Sequence, residues 1–404
     1  MLFEFWHNFT HNLFKPLLLF FYMGFLIPLL KIQFEFPYVL YQGLTLYLLL
    51  AIGWRGGEEL ATIDSSSIAQ VLGFIVLGFV TNLIIGFVAY GLLTRMTKMR
   101  RVDRATVAGY YGSDSAGTFA TCLGVLAALD IAFDAYMPVM LAIMEIPGCI
   151  VALLLVARLR ERGMDPVGNM PDEPGYNPKA RLELVTAAQA QQPQTRHELE
   201  VEAELEISLE KRDHPDPVEV NPPVATAPVS GTLLREVLLN PGLYLLFGGI
   251  LIGFIGRLQG ASVIEDGDHV FVTAFQGMLC LFLLEMGMTA SRKLKDLRSA
   301  GRGLIAFGLL APNLFAVAGI FIIHTYSQLT GTHFETGSYV LFAVLCGAAS
   351  YIAVPAVQRI AIPEASPTVP LAASLGLTFS YNVTIGIPLY LQITHAVNSW
   401  LPVG

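Results

Sequence analysis

Apolar residues run through this chain in blocks, most of them long and separated by short polar loops. A block of about 20 residues matches the hydrocarbon core of a bilayer crossed by a helix. Ten such blocks lie at roughly 12–30, 36–54, 68–94, 105–129, 135–158, 241–257, 269–290, 303–326, 338–361 and 370–396. The fourth and ninth are weaker, being rich in Gly, Ser, Thr and Ala. The pattern predicts an all-α polytopic membrane protein with ten transmembrane helices. Residues 159–233 interrupt it: they are rich in Pro, Gln and Glu, the composition of a segment that cannot bury a core. The expected organisation is a five-helix transmembrane repeat (1–158), an acidic, mostly disordered cytoplasmic linker (159–233) and a second five-helix repeat (234–404). Within the linker, Glu198–Ile207 alternates acidic and apolar residues strictly, and Ala180–Val185 does so more weakly. That period of two suits a strand added to a partner's sheet edge; a solvated acidic tether is the competing reading.

The two halves match each other in order. Gln42-Gly43-Leu44 corresponds to Gln276-Gly277-Met278, and the register holds to Gly53 and Gly287. Gly112 and Ser115 correspond to Gly347 and Ser350, Thr81-Asn82-Leu83 to Pro312-Asn313-Leu314, and Gly24 to Gly249. Five spans per half place the second copy upside down relative to the first. Such inverted repeats underlie alternating access in many secondary transporters.

Composition supports a membrane protein: 54% of residues are hydrophobic and only 14% charged, against about 25% charged in a soluble domain. Lys and Arg set the orientation. Arg95, Lys98, Arg100, Arg101 and Arg104, then Arg158, Arg160 and Arg162, then Arg292, Lys293, Lys295, Arg298 and Arg302 fall on one side only if both termini are outside and the linker is cytoplasmic. The alternate loops carry Glu58, Glu59 and Asp64, then Asp130 and Asp134, then Glu265, Asp266 and Asp268. The first block follows Glu4, His7 and His11, without a basic start or a small-residue cleavage site, and is expected to be a retained helix. Cys122, Cys149, Cys280 and Cys346 lie inside apolar blocks and read as small core residues.

The candidate chemistry sits at two interruptions. Span four contains Gly109-Tyr110-Tyr111-Gly112-Ser113-Asp114-Ser115-Ala116-Gly117-Thr118, too dense in glycine and hydroxyls for a good helix. Span nine contains Gly347-Ala348-Ala349-Ser350-Tyr351 and then Pro355. A broken helix leaves N–H groups that suit an anion and C=O groups that suit a cation. Gly112, Ser113, Ser115, Ala116, Gly117, Thr118, Ser350 and Tyr351 are therefore the candidate anion site. Asp114 and Glu145, the latter two residues before Pro147, are the candidate cation-coupling carboxylates. Asn82, Asn313, Asn382 and Thr384 offer neutral oxygens suited to Na⁺, although interhelical hydrogen bonds explain each equally well. Glu285 is expected in a salt bridge with the basic cluster that begins at Arg292.

At these residues the sequence resembles the sodium-dependent bicarbonate transporter family of cyanobacterial-type carbon-concentrating systems. The likeness is strongest across Arg104–Val156 and Ser338–Tyr390. It includes the Gly112…Ser115…Thr118 break, Glu145-Ile146-Pro147, Ile362-Pro363…Pro367 and Gly386-Ile387-Pro388. The resemblance implies a five-plus-five inverted fold with core and gate domains, a homotrimer, Na⁺-driven bicarbonate import and a cytosolic PII-like regulator on the inner face. Three positions depart from the family pattern. Tyr351 stands where an Asp is expected, Asp114 where an apolar residue is expected, and Glu145 where an Asp is expected.

The expected function is Na⁺-coupled symport of a small monovalent anion, bicarbonate first, in the plasma (inner) membrane. No cofactor beyond Na⁺ as coupling ion, no nucleic-acid partner and no enzymatic activity are expected. The alternatives are symport of another anion such as a small carboxylate, coupling to protons through Asp114, and a non-transporting sensor or scaffold signalling through the linker.

Overall fold

The structure is a computed structural model that describes residues 15–63, 68–177, 241–294 and 301–402. Those residues form helices, turns and loops, without a strand. In chain order the helices are α1 (Pro16–Leu29), α2 (Tyr38–Leu60), α3 (Ile68–Met96), α4 (Arg101–Tyr111), α5 (Ala116–Ala128), α6 (Met137–Met144), α7 (Ile146–Glu161), α8 (Pro241–Gln259), α9 (Ala261–Asp268), α10 (Phe275–Lys293), α11 (Arg302–Thr330), α12 (Thr336–Gly347), α13 (Ala353–Ala361), α14 (Thr368–Leu371) and α15 (Ile387–Trp400). Each of the ten apolar blocks is helical along most of its length. Among the described residues, five helical runs are long and apolar enough to cross a membrane: Ala69–Met96, Met137–Glu161, Pro241–Gln259, Val263–Lys293 and Arg302–Thr330.

Burial separates the helices into two kinds. α3 and α8 keep faces such as Leu72, Val76 and Ile84, or Leu251, Ile252 and Leu258, exposed on the outside of the bundle. α4, α5 and α12 are buried along nearly their whole length. Broken helices carry unpaired backbone groups, which are tolerated at membrane depth only inside protein.

Two helix pairs cross in backbone contact. In α2 and α8, a side chain on Gly53 or Gly57 would overlap the carbonyls of Leu246 or Ile250, and one on Gly253 would overlap that of Trp54. In α1 and α10, Gly24 meets the carbonyl of Leu284, and Gly287 that of Phe21. Small residues allow this approach, which in lipid replaces the hydrophobic effect as the reason helices associate.

The basic clusters converge on one end of the bundle. Gly303 at the start of α11 abuts the Met96 carbonyl at the end of α3. Arg100 pairs with Asp103 and donates to the carbonyls of Val167 and Glu364. Arg160 pairs with Glu364 at 2.8 Å. At the opposite end, Lys15 donates to the carbonyl of Ala128, and Tyr326 to that of Gln70.

Three features differ from the sequence reading. First, α9 and a wide π-turn at His269–Thr273 precede α10, so the acidic stretch around Glu265 is helical rather than a loop. Asp268 there accepts from the Trp54 indole. Second, the start of the linker is folded. Asp165 accepts from the backbone N–H groups of Val167, Asn169 and Asn177, and Glu173 from those of Met170 and Arg101. Burial alone would raise the Asp165 pKa, but these donors outweigh it and hold the carboxyl below its ordinary value. Third, among the described residues Glu285 forms no ion pair: it accepts from Thr289 at 2.7 Å, and its other oxygen is buried without a hydrogen-bond partner. Residues 178–240, which include both alternating segments, lie outside the described residues. The four cysteines are free thiols, three of them buried.

Candidate functional site

α4 ends at Tyr111 and α5 starts at Ala116, with Gly112 to Ser115 crossing the gap in non-helical backbone. Ser115 caps α5: its hydroxyl oxygen accepts from the Thr118 N–H at 3.2 Å and from the Thr118 hydroxyl at 2.9 Å. The ninth block does the same between α12 and α13, where the Ser350 oxygen accepts from the Val354 N–H. The two gaps touch, the Ser350 N–H donating to the Tyr110 carbonyl at 2.8 Å.

The ends of these broken helices are interlocked as well. Asp103, in the first turn of α4, accepts from the N–H of Ser366, which follows α13. Ser338, in the first turn of α12, accepts from the N–H of Asp134, which follows α5. Each broken helix is thus fastened to the loop beyond the other, at opposite ends of the bundle.

A third interruption lies at Glu145, between α6 and α7. Pro147 supplies no N–H to the helical ladder, which loosens that turn. Carbonyls beside it take side-chain donors. Asn82 donates to the Met144 carbonyl at 2.9 Å and Ser113 to the Glu145 carbonyl at 2.7 Å. Gly148 allows the contact, because a side chain there would overlap the Gly109 carbonyl and crowd Ser113.

Asp114 is therefore set beside Glu145, within electrostatic range of it. Its exposure is 0%, and neither carboxylate oxygen has a hydrogen-bond partner among the described residues. The Asn82 oxygen is also buried and unpartnered. An unpaired buried carboxylate is costly, and oxygens without donors are what a hard cation requires. Asn82 and the residue before Asp114 thus both meet the Met144–Glu145 turn, and the unpartnered oxygens of Asp114 and Asn82 are of the kind a hard cation takes.

The other three amide and hydroxyl candidates are placed elsewhere. Asn313 donates to Leu309 one turn back and accepts from Tyr381. Thr384 donates to the Ser380 carbonyl of its own helix. Asn382 is buried, donates to the Gly347 carbonyl at the end of α12, and accepts from Tyr390. Its amide closes an orphan helix end.

Of the candidate anion residues, Gly112 packs against Gly86 and Gly148 and Ser113 is engaged with the Glu145 carbonyl, while Tyr351 meets the first turn of α5. Tyr351 reaches from the second gap to the first turn of α5, where a side chain on Gly117 would overlap its hydroxyl oxygen. Its ring stands edge-on to Phe379, 5.3 Å between centroids. A cavity of about 10 Å³ adjoins this turn, lined in part by Ala116, Gly117, Phe282 and Ile352.

Sequence reasoning passed over several buttresses. Tyr111 shares a 2.6 Å hydrogen bond with Thr378, which also donates to the Gly308 carbonyl. Thr378 lies in a π-helical stretch, Ala372–Phe379, and a second such stretch covers Asn382–Gly386. Such wide turns frequently accompany functional sites, but no residue pattern announces them. Pro388 was the available signal that the tenth helix is irregular.

No curated protein matches the chain. The family model for the Na⁺-dependent bicarbonate transporter superfamily does match it, over residues 16–395, which takes in both gaps, Glu145 and the linker. The chain belongs to the Na⁺-dependent bicarbonate transporter superfamily.

Proposed function

We propose that this protein is a Na⁺-coupled symporter of a small monovalent anion, with bicarbonate the first candidate. One observation carries the reading: two helix gaps joined at Ser350 and Tyr110, beside a fully buried Asp114 whose oxygens lack partners. The first turn of α5 presents N–H groups to an anion, while Asp114, Glu145 and Asn82 present oxygen to Na⁺. Inward Na⁺ movement supplies about 2.3 kcal/mol per charge per 100 mV for uptake.

The two helix crossings support the inverted five-plus-five repeat. In the repeat register Gly24 answers to Gly249 and Gly53 to Gly287. Gly24 and Gly287 share the α1–α10 crossing, while Gly53 and Gly249 share the α2–α8 crossing. A two-fold axis relating the halves would carry one crossing onto the other. It would also exchange the Asp103–Ser366 and Ser338–Asp134 interlocks. On this reading ten spans cross the plasma (inner) membrane, the termini are external, and the basic end with its linker is cytoplasmic. The homotrimer and the PII-like regulator rest on the family pattern alone.

A second reading, a sensor that binds the anion without moving it, is favoured by the folded start of the linker. Its residues 163–177 are tied to α4 through Arg100, Arg101 and Arg104, and Arg100 reaches the loop after α13. Uptake of labelled bicarbonate into proteoliposomes with an inward Na⁺ gradient, against a K⁺ gradient, separates the two. Na⁺-dependent uptake that falls in Glu145→Ala supports symport. Anion binding without flux supports the sensor, and neither one removes bicarbonate from consideration.

A further inference from the structure

We infer that the Tyr351 hydroxyl occupies the anion position at the first turn of α5, and that substrate binds by displacing it. The inference rests on the proposed anion site and adds the residue that controls access to it. Tyr351 is only 8% exposed, and its hydroxyl makes no hydrogen bond of ordinary geometry among the described residues, the Ser115 side chain being the polar group beside it. Buried tyrosine hydroxyls normally find a well-formed one, whereas this oxygen lies against the Gly117 backbone.

Its position is defined by what the opposite wall lacks. A Cβ on Gly117 would overlap the hydroxyl oxygen and lie 3.1 Å from both the Tyr351 ring carbon Cζ and Phe282 Cε1. The phenol thus fills the volume that any other residue at 117 would take, against the turn where helix N–H groups lack intrahelical partners. Phe379 stands edge-on to the ring, and Phe282 borders the same space beside Gly117. The adjoining cavity, at about 10 Å³, has room for about one water. An anion of four heavy atoms therefore reaches this turn only when the phenol moves. Phe at 351 keeps the ring and its aromatic contacts and removes only the oxygen.

The test uses the full-length protein and bicarbonate as probe, with Tyr351→Phe and, should that variant fold poorly, Tyr351→Leu. Two quantities are read: KM and kcat of Na⁺-driven uptake in proteoliposomes, and the bicarbonate concentration that half-saturates the thermal shift in detergent. The expected result is a KM and a half-saturation about tenfold lower in the variant, as when a competent form populated at about 10% becomes the dominant one, with kcat little changed. A higher KM would make the hydroxyl a ligand of the anion and overturn the inference. Equal half-saturation in both forms, with or without flux, overturns it too. Tighter binding in the variant with no uptake in either form keeps the inference and sinks the symport reading.

Discussion

Asp114→Asn is the substitution that bears most directly on the cation site. Asparagine keeps the shape of the side chain and removes its charge. In the wild-type protein the carboxylate is fully buried with two unpartnered oxygens. Leaving a charge in that condition costs several kcal/mol, whereas an unpaired neutral amide costs about 1–3 kcal/mol. Without Na⁺, at a pH where Asp114 is ionised, the variant is therefore expected to be the more stable, by about 2 kcal/mol on those two magnitudes. With Na⁺ at about 100 times its Kd, the wild type gains about 2.7 kcal/mol that the variant does not. The order of stability then inverts. Thermal unfolding of both proteins in detergent, in Na⁺ and in choline at matched ionic strength, reads this directly. The reasoning fails if Na⁺ raises the Tm of Asp114→Asn as much as that of the wild type, or if the variant is the less stable one in choline. Inversion with pH in place of Na⁺ would mark the proton-coupled alternative.

Other perturbations test neighbouring parts of the argument. Ser113→Ala removes the donor to the buried Glu145 carbonyl and is expected to cost about 1–3 kcal/mol, read as a lower Tm together with weaker Na⁺ dependence of uptake. Gly57→Leu drives a side chain into the Ile250 carbonyl and is expected to cost about 1–3 kcal/mol or more, whereas Gly43→Leu, with nothing within 4 Å, stays within about 0.5 kcal/mol; a Tm comparison of the pair checks the α2–α8 contact. Asp165 has a folded pKa below its unfolded value of about 3.9. Its contribution is present above that value and is lost as pH falls through the lower, folded pKa, so hydrogen exchange in residues 164–176 should accelerate below about pH 4 in the wild type but already be fast at neutral pH in Asp165→Asn. Arg160→Ala, removing a half-exposed ion pair with Glu364, should change stability by less than about 1 kcal/mol, as measured by the same unfolding assay.

Hydropathy placed the helices well because burial in lipid is a local property, set by each residue's own side chain over about 20 positions. The gaps at Gly112–Ser115 and Ala348–Ile352 were legible for a related reason: glycine, serine and proline are poor helix formers wherever they occur. Asp114, Glu145 and Asn82 were legible as candidates, since polar groups in apolar blocks are expensive. Other choices were not. Asn313 and Thr384 carry the same oxygens as Asn82, yet their hydrogen bonds go to carbonyls of their own helix. Glu285 was expected in a salt bridge with the basic cluster that begins at Arg292, and among the described residues it accepts from a threonine one turn away. The folded turn at Asp165 was hidden in a linker whose composition reads as unstructured, because its order comes from three backbone donors and from arginines on α4.

Sequence alone thus determined that this is a helical membrane protein of the bicarbonate-transporter superfamily, with two broken helices and a buried carboxylate. Only the tertiary structure decided that the breaks touch at Ser350 and Tyr110, that Asn82 and Ser113 hold the Glu145 turn, and that the Tyr351 phenol lies against Gly117. Helix formation depends on neighbours a few positions away. Which polar groups meet inside the bundle depends on backbones brought within contact by glycines far apart in the chain.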